Sequence, residues 1–193
     1  AGLYVIAIAS SANREWPWSN AKNKMEAEHF FVDSYPAIYQ HLKSAGEKFE
    51  ASIRNEKKKQ QGLFKRDDQG RFWWELRSCA YYAEFEQPKI VYPVVAKEMR
   101  ALYDPDGFLH NDKCFFIAGS DYYLMAVMNS RLMDYHFRHN FAGHGDPFAG
   151  GRLEFRGIFM ENIPIFAAKD NQKFPITRRV QSILADPTSP DVP

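Results

Sequence analysis

Basic side chains surround a glycine-rich stretch in the second half of the chain. Arg138 and His139 precede a stretch with four glycines and one proline between residues 140 and 151, and two arginines follow it. The guanidinium fork of arginine matches both phosphate oxygens and the O6/N7 edge of guanine, and glycine lets a backbone approach a ligand closely. The pattern therefore predicts a nucleic-acid contact made by Arg138, His139, His144, Arg152 and Arg156. The alternative is that these arginines pair with Asp146 and Glu154 on the surface, and composition favours neither.

A second basic segment lies earlier in the chain. Residues 51–71 carry seven basic and three acidic side chains, whereas residues 72–130 carry five basic against eight acidic ones. The three lysines at 57–59 are best interpreted as a solvated face. We expect Lys65, Arg66 and Arg71 to supply a secondary contact with nucleic acid that is mainly electrostatic.

Histidines in the same region raise the question of a metal site. His136 and His139 are three residues apart, so both could reach one ion from a single helix face, with His144 following. Because no cysteine and no His-Glu-x-x-His pattern accompanies them, we predict no metal ligands here.

The catalytic motifs that a sequence can display are missing. There is no phosphate-binding glycine loop and no nucleophile elbow, so no residue is assigned a catalytic role. A metal-dependent nuclease would need clustered carboxylates and a lysine, which Glu84, Glu86 and Lys89 or the neighbours Lys97 and Glu98 could supply. Their spacing is generic, so nuclease activity is only a third hypothesis.

Composition limits the class of protein. The 193 residues are 45% hydrophobic and 25% charged with a net charge of +1, which excludes a disordered chain and a polycation. Two cysteines are too few for a disulfide framework, so we expect a reducing cytoplasm, and no apolar run approaches the ~20 residues of a membrane span. The chain opens without Met in an apolar stretch, and we expect it to be part of a longer protein.

The predicted strands and helices would position these side chains. Their order indicates an α+β fold with a mixed or antiparallel sheet and flanking helices, and not a Rossmann domain. Hydrophobic periodicity and turn residues predict strands at 3–9, 89–95, 113–118, 152–156 and 158–163. Helices are predicted from a cap at Ser19 or Asn20, from Pro36, from Asp121 to about 137 with a break at 129–130, and over 174–184. Pro93 suggests an edge position or a bulge, and residues 104–107 suggest a hairpin turn. We predict one domain over residues 1–185, with a basic linker at 51–71 and a flexible tail at 186–193.

Three blocks in a fixed order carry a resemblance to a known family. They are GRFWWELR at 70–77, FEQPKI at 85–90 and IFMENIPI at 158–165. Together with the elements between them, they resemble the TaqI-like C-terminal specificity, or target-recognition, domain of adenine-specific DNA methyltransferases and fused type II restriction–modification enzymes. The resemblance covers residues 33–185.

The resemblance implies a role in recognition. Such a domain reads a short duplex sequence from its loops and holds the target adenine for a catalytic domain on the same polypeptide, which binds S-adenosylmethionine. The Asn-Pro-Pro-Tyr type of tetrapeptide that the family uses for methyl transfer does not occur here. The resemblance therefore implies double-stranded DNA and the methyltransferase domain as partners, no membrane, no cofactor in this chain, and the cytoplasm of a bacterium or archaeon.

Two further expectations concern the aromatic residues. Phe72, Trp73, Trp74, Tyr81 and Tyr82 are interpreted mainly as core, and the two tryptophans are expected to share that core with the strand at 90–95. A rival function is docking of a protein partner through the last helix and the tyrosine-rich faces.

Overall fold

A computed structural model describes residues 5–53 and 62–186. The chain divides into two compact units, unit 1 (Ala1–Tyr82) and unit 2 (Ala83–Pro193). The lysines at 57–59 and the tail beyond residue 186 lie outside the described residues, and the single domain over 1–185 stays a prediction.

In its described residues, unit 1 contains two α-helices, α1 (Lys24–Ser34) and α2 (Pro36–Ser52). Helix α1 begins later than predicted because the side chain of Asn23 accepts a hydrogen bond from the amide of Glu26 at 2.9 Å. Helix α2 begins at Pro36 as predicted, since the fixed φ of proline suits the first helical position.

The predicted first strand at 3–9 is wrong for its described part. Residues 5–9 belong to no strand, and Val5 and Ile6 are exposed. The segment is attached by the amide of Leu76, which donates to the carbonyl of Ile8 at 2.7 Å. A short apolar run cannot by itself distinguish a strand from an extended segment that lies on an aromatic cluster.

The core of unit 1 is aromatic. Trp18 is fully buried, and the rings of Phe31 and Trp74 pack against it at centroid distances of 5.0 and 5.9 Å. Trp74 is buried as expected, and Trp73 is partly buried at the edge of this cluster. The predicted core shared with the strand at 90–95 is wrong, because Ile90 belongs to a separate cluster in unit 2.

Unit 2 holds six strands and four α-helices in its described part. A 3₁₀-helix (Tyr82–Glu86) precedes them in the chain. The strands are β1 (Lys89–Pro93), β2 (Val95–Ala96), β3 (Leu102–Asp104), β4 (Cys114–Ala118), β5 (Gly143–His144) and β6 (Arg152–Glu154). The helices are α3 (Tyr122–Met128), α4 (Arg131–Asn140), α5 (Gly157–Met160) and α6 (Asp170–Ala185).

The strands form two three-stranded antiparallel sheets, ordered β3-β1-β4 and β2-β6-β5. Strand β1 is central, so Pro93 does not mark an edge strand; it lies at the end of β1, beyond the residues that pair with β3. The turn after Asp104 does not make a hairpin, because β3 and β4 both pair with β1. The predicted strand at 158–163 is replaced by α5 and a turn. The α+β class, distinct from a Rossmann fold, is confirmed.

Two capped helices connect these sheets. Asp121 caps α3 by accepting from the amide of Leu124 at 2.9 Å, and Ser130 caps α4 by accepting from the amide of Met133 at 3.2 Å, so the predicted break at 129–130 is confirmed. Phe137 of α4 packs on Phe155 beside β6 in the core of unit 2. This contact fixes the second sheet against α4, which carries Arg138 and His139.

Candidate nucleic-acid interface

The glycine-rich segment forms a hairpin. Strands β5 and β6 pair through His144 opposite Arg152 and through Gly143 opposite Leu153, and residues 145–151 make the loop. Leu153 and Phe155 are fully buried below the hairpin. Because successive side chains of a strand face opposite sides, the polar residues of β6 lie on the outer face.

The loop has a defined conformation. The carbonyl of Asp146 accepts from the amides of Ala149 and Gly151 at 3.0 and 2.8 Å, and its carboxylate accepts from the amide of Phe148 at 2.8 Å. Gly145 adopts a φ of 83°, which a residue with a side chain rarely takes. Asp146 therefore organises the loop backbone and does not pair with an arginine among the described residues, which was one of the two alternatives that the composition left open.

Arg138 fastens the loop to α4. Its Nε donates to Oδ2 of Asp134 at 2.7 Å, and its Nη1 donates to the carbonyl of Pro147. The hydrogen bond to Asp134 raises the pKa of Arg138 despite partial burial. This guanidinium is therefore largely occupied within the protein.

His139 belongs to a row of exposed rings. Its ring lies 4.0 Å from that of Tyr135 and 5.0 Å from that of Phe148, by centroids, and its Nδ1 lies 2.8 Å from the carbonyl of Tyr135. The row joins α4 to the tip of the loop.

Glu154 contacts two of the residues predicted to bind nucleic acid. Its Oε1 lies 2.7 Å from Nε2 of His144, and its Oε2 lies 2.7 Å from Nε of Arg156. Arg152 is exposed beside them, and its guanidinium has no hydrogen-bond or ion-pair partner among residues 5–53 and 62–186. The hairpin thus holds His144 and Arg156 in place and leaves one guanidinium available.

The other predicted cations belong to unit 1. Arg66 donates to the carbonyls of Trp73 and Glu75, and Arg71 donates to the carbonyl of Ser19 at 3.0 Å. Lys65 is exposed. Two of these three side chains therefore stabilise loops of unit 1, while the secondary contact remains a prediction.

The described part of the chain shows no arrangement of side chains that supports the metal or the nuclease hypothesis. No group of three or more His, Cys, Asp or Glu side chains there is arranged to hold a metal ion. His136 lies beside Asn140, with 3.3 Å between its Nδ1 and the amide nitrogen. Lys89, which the nuclease hypothesis would use, is buried in an ion pair with Asp104. In the same ranges no helix is both long and apolar enough to cross a membrane.

The groups that organise the interface were not predicted from the sequence. Asp134 and Phe148 were not singled out, and Asp146 and Glu154 entered only as surface partners for arginine. The spacing of four residues between Asp134 and Arg138 is the usual signal for a helical ion pair. No comparable signal identifies Phe148.

One comparison with known proteins gives a match. The family model described as the TaqI-like C-terminal specificity domain matches residues 22–165. No curated protein matches the chain.

Proposed function

Because the chain belongs to the TaqI-like C-terminal specificity domain family, whose members are DNA-recognition modules of restriction–modification enzymes, we propose that it reads a short sequence in duplex DNA and positions a target adenine. The methyltransferase domain that acts on this adenine would lie on the same polypeptide and bind S-adenosylmethionine as the methyl donor. In this proposal the present chain binds and orients DNA in the cytoplasm and performs no chemistry.

The observation that carries the proposal is the arrangement of cations on the hairpin. Arg152 offers five N–H donors with no partner among the described residues, opposite His144 on the paired strand. Arg156 is held by Glu154 at 2.7 Å, so little side-chain entropy would be lost when it contacts DNA. A guanidinium at the foot of an ordered loop suits a phosphate or the guanine edge.

The five predicted contact residues on α4 and around the hairpin differ in their expected roles. Arg152 and Arg156 are the candidates for direct contact, with His144 and His139 beside them. Arg138 would act mainly by holding the loop, since Asp134 and Pro147 occupy its donors. In unit 1, Lys65 would supply an electrostatic contact, and Arg66 and Arg71 would contribute through the loops that they stabilise.

A salt titration tests DNA binding. The affinity of the chain for a duplex should fall steeply with salt concentration, because phosphate contacts release counterions. If Arg152 contacts a phosphate, Arg152→Ala should reduce the slope of log affinity against log salt concentration by about one. If it contacts a base, the variant should lose roughly 1–3 kcal/mol of binding free energy and relax specificity at one base pair. Arg179→Ala on α6 is the matched control, since it removes an exposed arginine from a different element.

Site choice is tested in the parent enzyme. The pattern of methylated sites in a genome should change at one base pair in the Arg152 variant if this side chain contacts a base. Binding to DNA that does not depend on salt would contradict the proposal and favour docking of a protein partner. Cleavage of DNA by this chain with magnesium would favour the nuclease hypothesis.

A further inference from the structure

Phe148 is an exposed aromatic side chain at the tip of the hairpin loop. It leaves 63% of its surface in solvent, although a phenyl ring gains free energy when it is buried. It lies three residues beyond Gly145 and two residues before Gly150, the glycines with positive φ at the two ends of the loop. An apolar ring in this position is available to a ligand.

The loop holds this ring firmly. The amide of Phe148 donates to Oδ1 of Asp146, and Arg138 binds the carbonyl of the preceding Pro147. The ring itself meets His139 edge-on at 5.0 Å, and His139 packs on Tyr135. A rigid support reduces the entropy that binding would cost.

Charge around the ring identifies the kind of partner. Arg152 and Arg156 lie at the foot of the same hairpin, so a ligand that covers Phe148 and extends along the hairpin meets two guanidinium groups. An apolar ring beside cations matches nucleic acid, whose phosphates are anionic and whose bases are apolar on their faces.

Phe108 offers an internal comparison. It is also on a loop of unit 2, it follows a glycine with positive φ, and it is 69% exposed. The acids near it in the chain are Asp104, Asp106 and Asp112, and the first and last of them pair with Lys89 and Lys113. The same side chain with similar exposure therefore occurs beside acids and paired lysines, without an unpaired arginine next to it in the chain.

We propose that Phe148 is a stacking wedge for duplex DNA, which places its ring against a base at a step that opens as the hairpin binds. Inserting an apolar side chain costs free energy because it unstacks two base pairs. The larger protein–DNA contact that a distorted duplex allows offsets this cost. The inference rests on the proposed function, because the cations must first bring the loop to the duplex. It adds a contact that does not depend on phosphate charge and therefore not on salt.

The test uses the full chain and two labelled duplexes, one fully paired and one with a single abasic site. Phe148→Ala should weaken binding to the paired duplex roughly 5- to 150-fold, the equivalent of one lost stacking contact, with the salt slope unchanged. Phe148→Trp should retain the affinity, and Phe108→Ala should match the wild type. The wild type should prefer the abasic duplex, where stacking is already interrupted, and Phe148→Ala should lose this preference.

The two proposals fail in different ways. If the wild type binds neither duplex in a salt-dependent manner, the proposed function fails and the wedge fails with it. If the wild type binds with a steep salt slope and Phe148→Ala binds equally well, with the same preference for the abasic site, only the wedge is overturned. Far-UV circular dichroism of each variant verifies folding, which truncation of a largely exposed ring should preserve.

Discussion

Removing the charge of Lys89 should destabilise unit 2 far more than its single ion pair suggests. Nζ of Lys89 lies 2.6 Å from Oδ2 of Asp104 and 2.7 Å from the carbonyl of Phe85, and the lysine is fully buried. Asp104 also accepts from the amides of Asp106 and Phe108 at 3.1 and 2.8 Å. The pair joins β1 to β3 and fixes the turn that follows β3.

The expected magnitude follows from burial. Lys89→Met fills similar space but leaves the Asp104 carboxylate buried without its cation, and breaking a buried pair in this way costs roughly 3–5 kcal/mol. The exposed pair of Lys113 and Asp112 has a similar length of 2.8 Å, with side chains 78% and 77% exposed. Lys113→Met should therefore have little effect on stability, because solvent screens an exposed pair. Replacing both buried partners, as in Lys89→Met with Asp104→Leu, should recover part of the loss.

Native-state hydrogen exchange is the appropriate assay, because it reports each unit separately. Peptides that cover β1 and β4 should lose protection in Lys89→Met. All four tryptophans lie in unit 1, so their fluorescence should report an unchanged unfolding transition there. If Lys89→Met and Lys113→Met have equal effects on exchange, the argument from burial is refuted.

The same pair predicts how stability depends on pH. Burial alone would raise the pKa of Asp104, but hydrogen bonds from Lys89 and from the amides of Asp106 and Phe108 hold this pKa below its ordinary value. A lowered pKa in the folded state gives stability that is present above the unfolded value of about 3.9 and is lost as the pH falls through the folded value. Protection of β1 should follow this course in the wild type, whereas in Lys89→Met, where the lysine no longer opposes the effect of burial, protonation of Asp104 should restore protection as the pH falls.

Three further predictions address the other parts of the chain. Trp74→Ala should lower the free energy of unfolding of unit 1 by roughly 3–5 kcal/mol, because this buried ring packs on Phe31 and Phe72 at centroid distances of 5.0 and 4.9 Å. Denaturant titration measures this loss, and an unchanged midpoint would contradict the assigned core. Gly145→Ala should destabilise the hairpin loop by roughly 1–2 kcal/mol in hydrogen exchange, since a φ of 83° strains any residue with a side chain, whereas Gly157→Ala is the control with open space and an ordinary φ. The purified chain with labelled S-adenosylmethionine and DNA should transfer no methyl group, and robust transfer would show that it contains a catalytic site.

The sequence predicted the elements whose signals are local. Pro36 and Asp121 marked helix starts correctly, because a fixed φ and a side-chain cap act within one turn. The turn at 104–107 was recognised, but its consequence was not, since pairing of both flanking strands with β1 is a long-range choice. The segment at 158–163 begins with three consecutive apolar residues, a run too short for periodicity to separate a strand from α5.

The candidate interface shows the same division at the level of side chains. The residues predicted to act together are close in the structure, because Arg138 and Arg152 lie on either side of one ordered loop. The sequence could not show which guanidinium groups form hydrogen bonds or ion pairs within the protein. That depends on whether a carbonyl or carboxylate comes within hydrogen-bond distance, and the distances are set by packing of Phe137 on Phe155 beneath the hairpin.

The acids beside the hairpin determine which of its basic side chains remain available to a ligand. A cluster of unpaired cations would repel itself and destabilise the folded state. Here Asp134 offsets Arg138, and Glu154 is shared by His144 and Arg156, so only Arg152 is left without an acidic neighbour at ion-pair distance in the described structure. The shared carboxylate is partly buried, so it can orient both side chains while their outer faces stay in solvent. The hairpin therefore keeps enough internal pairing to hold its shape and leaves the guanidinium of Arg152 available to a ligand.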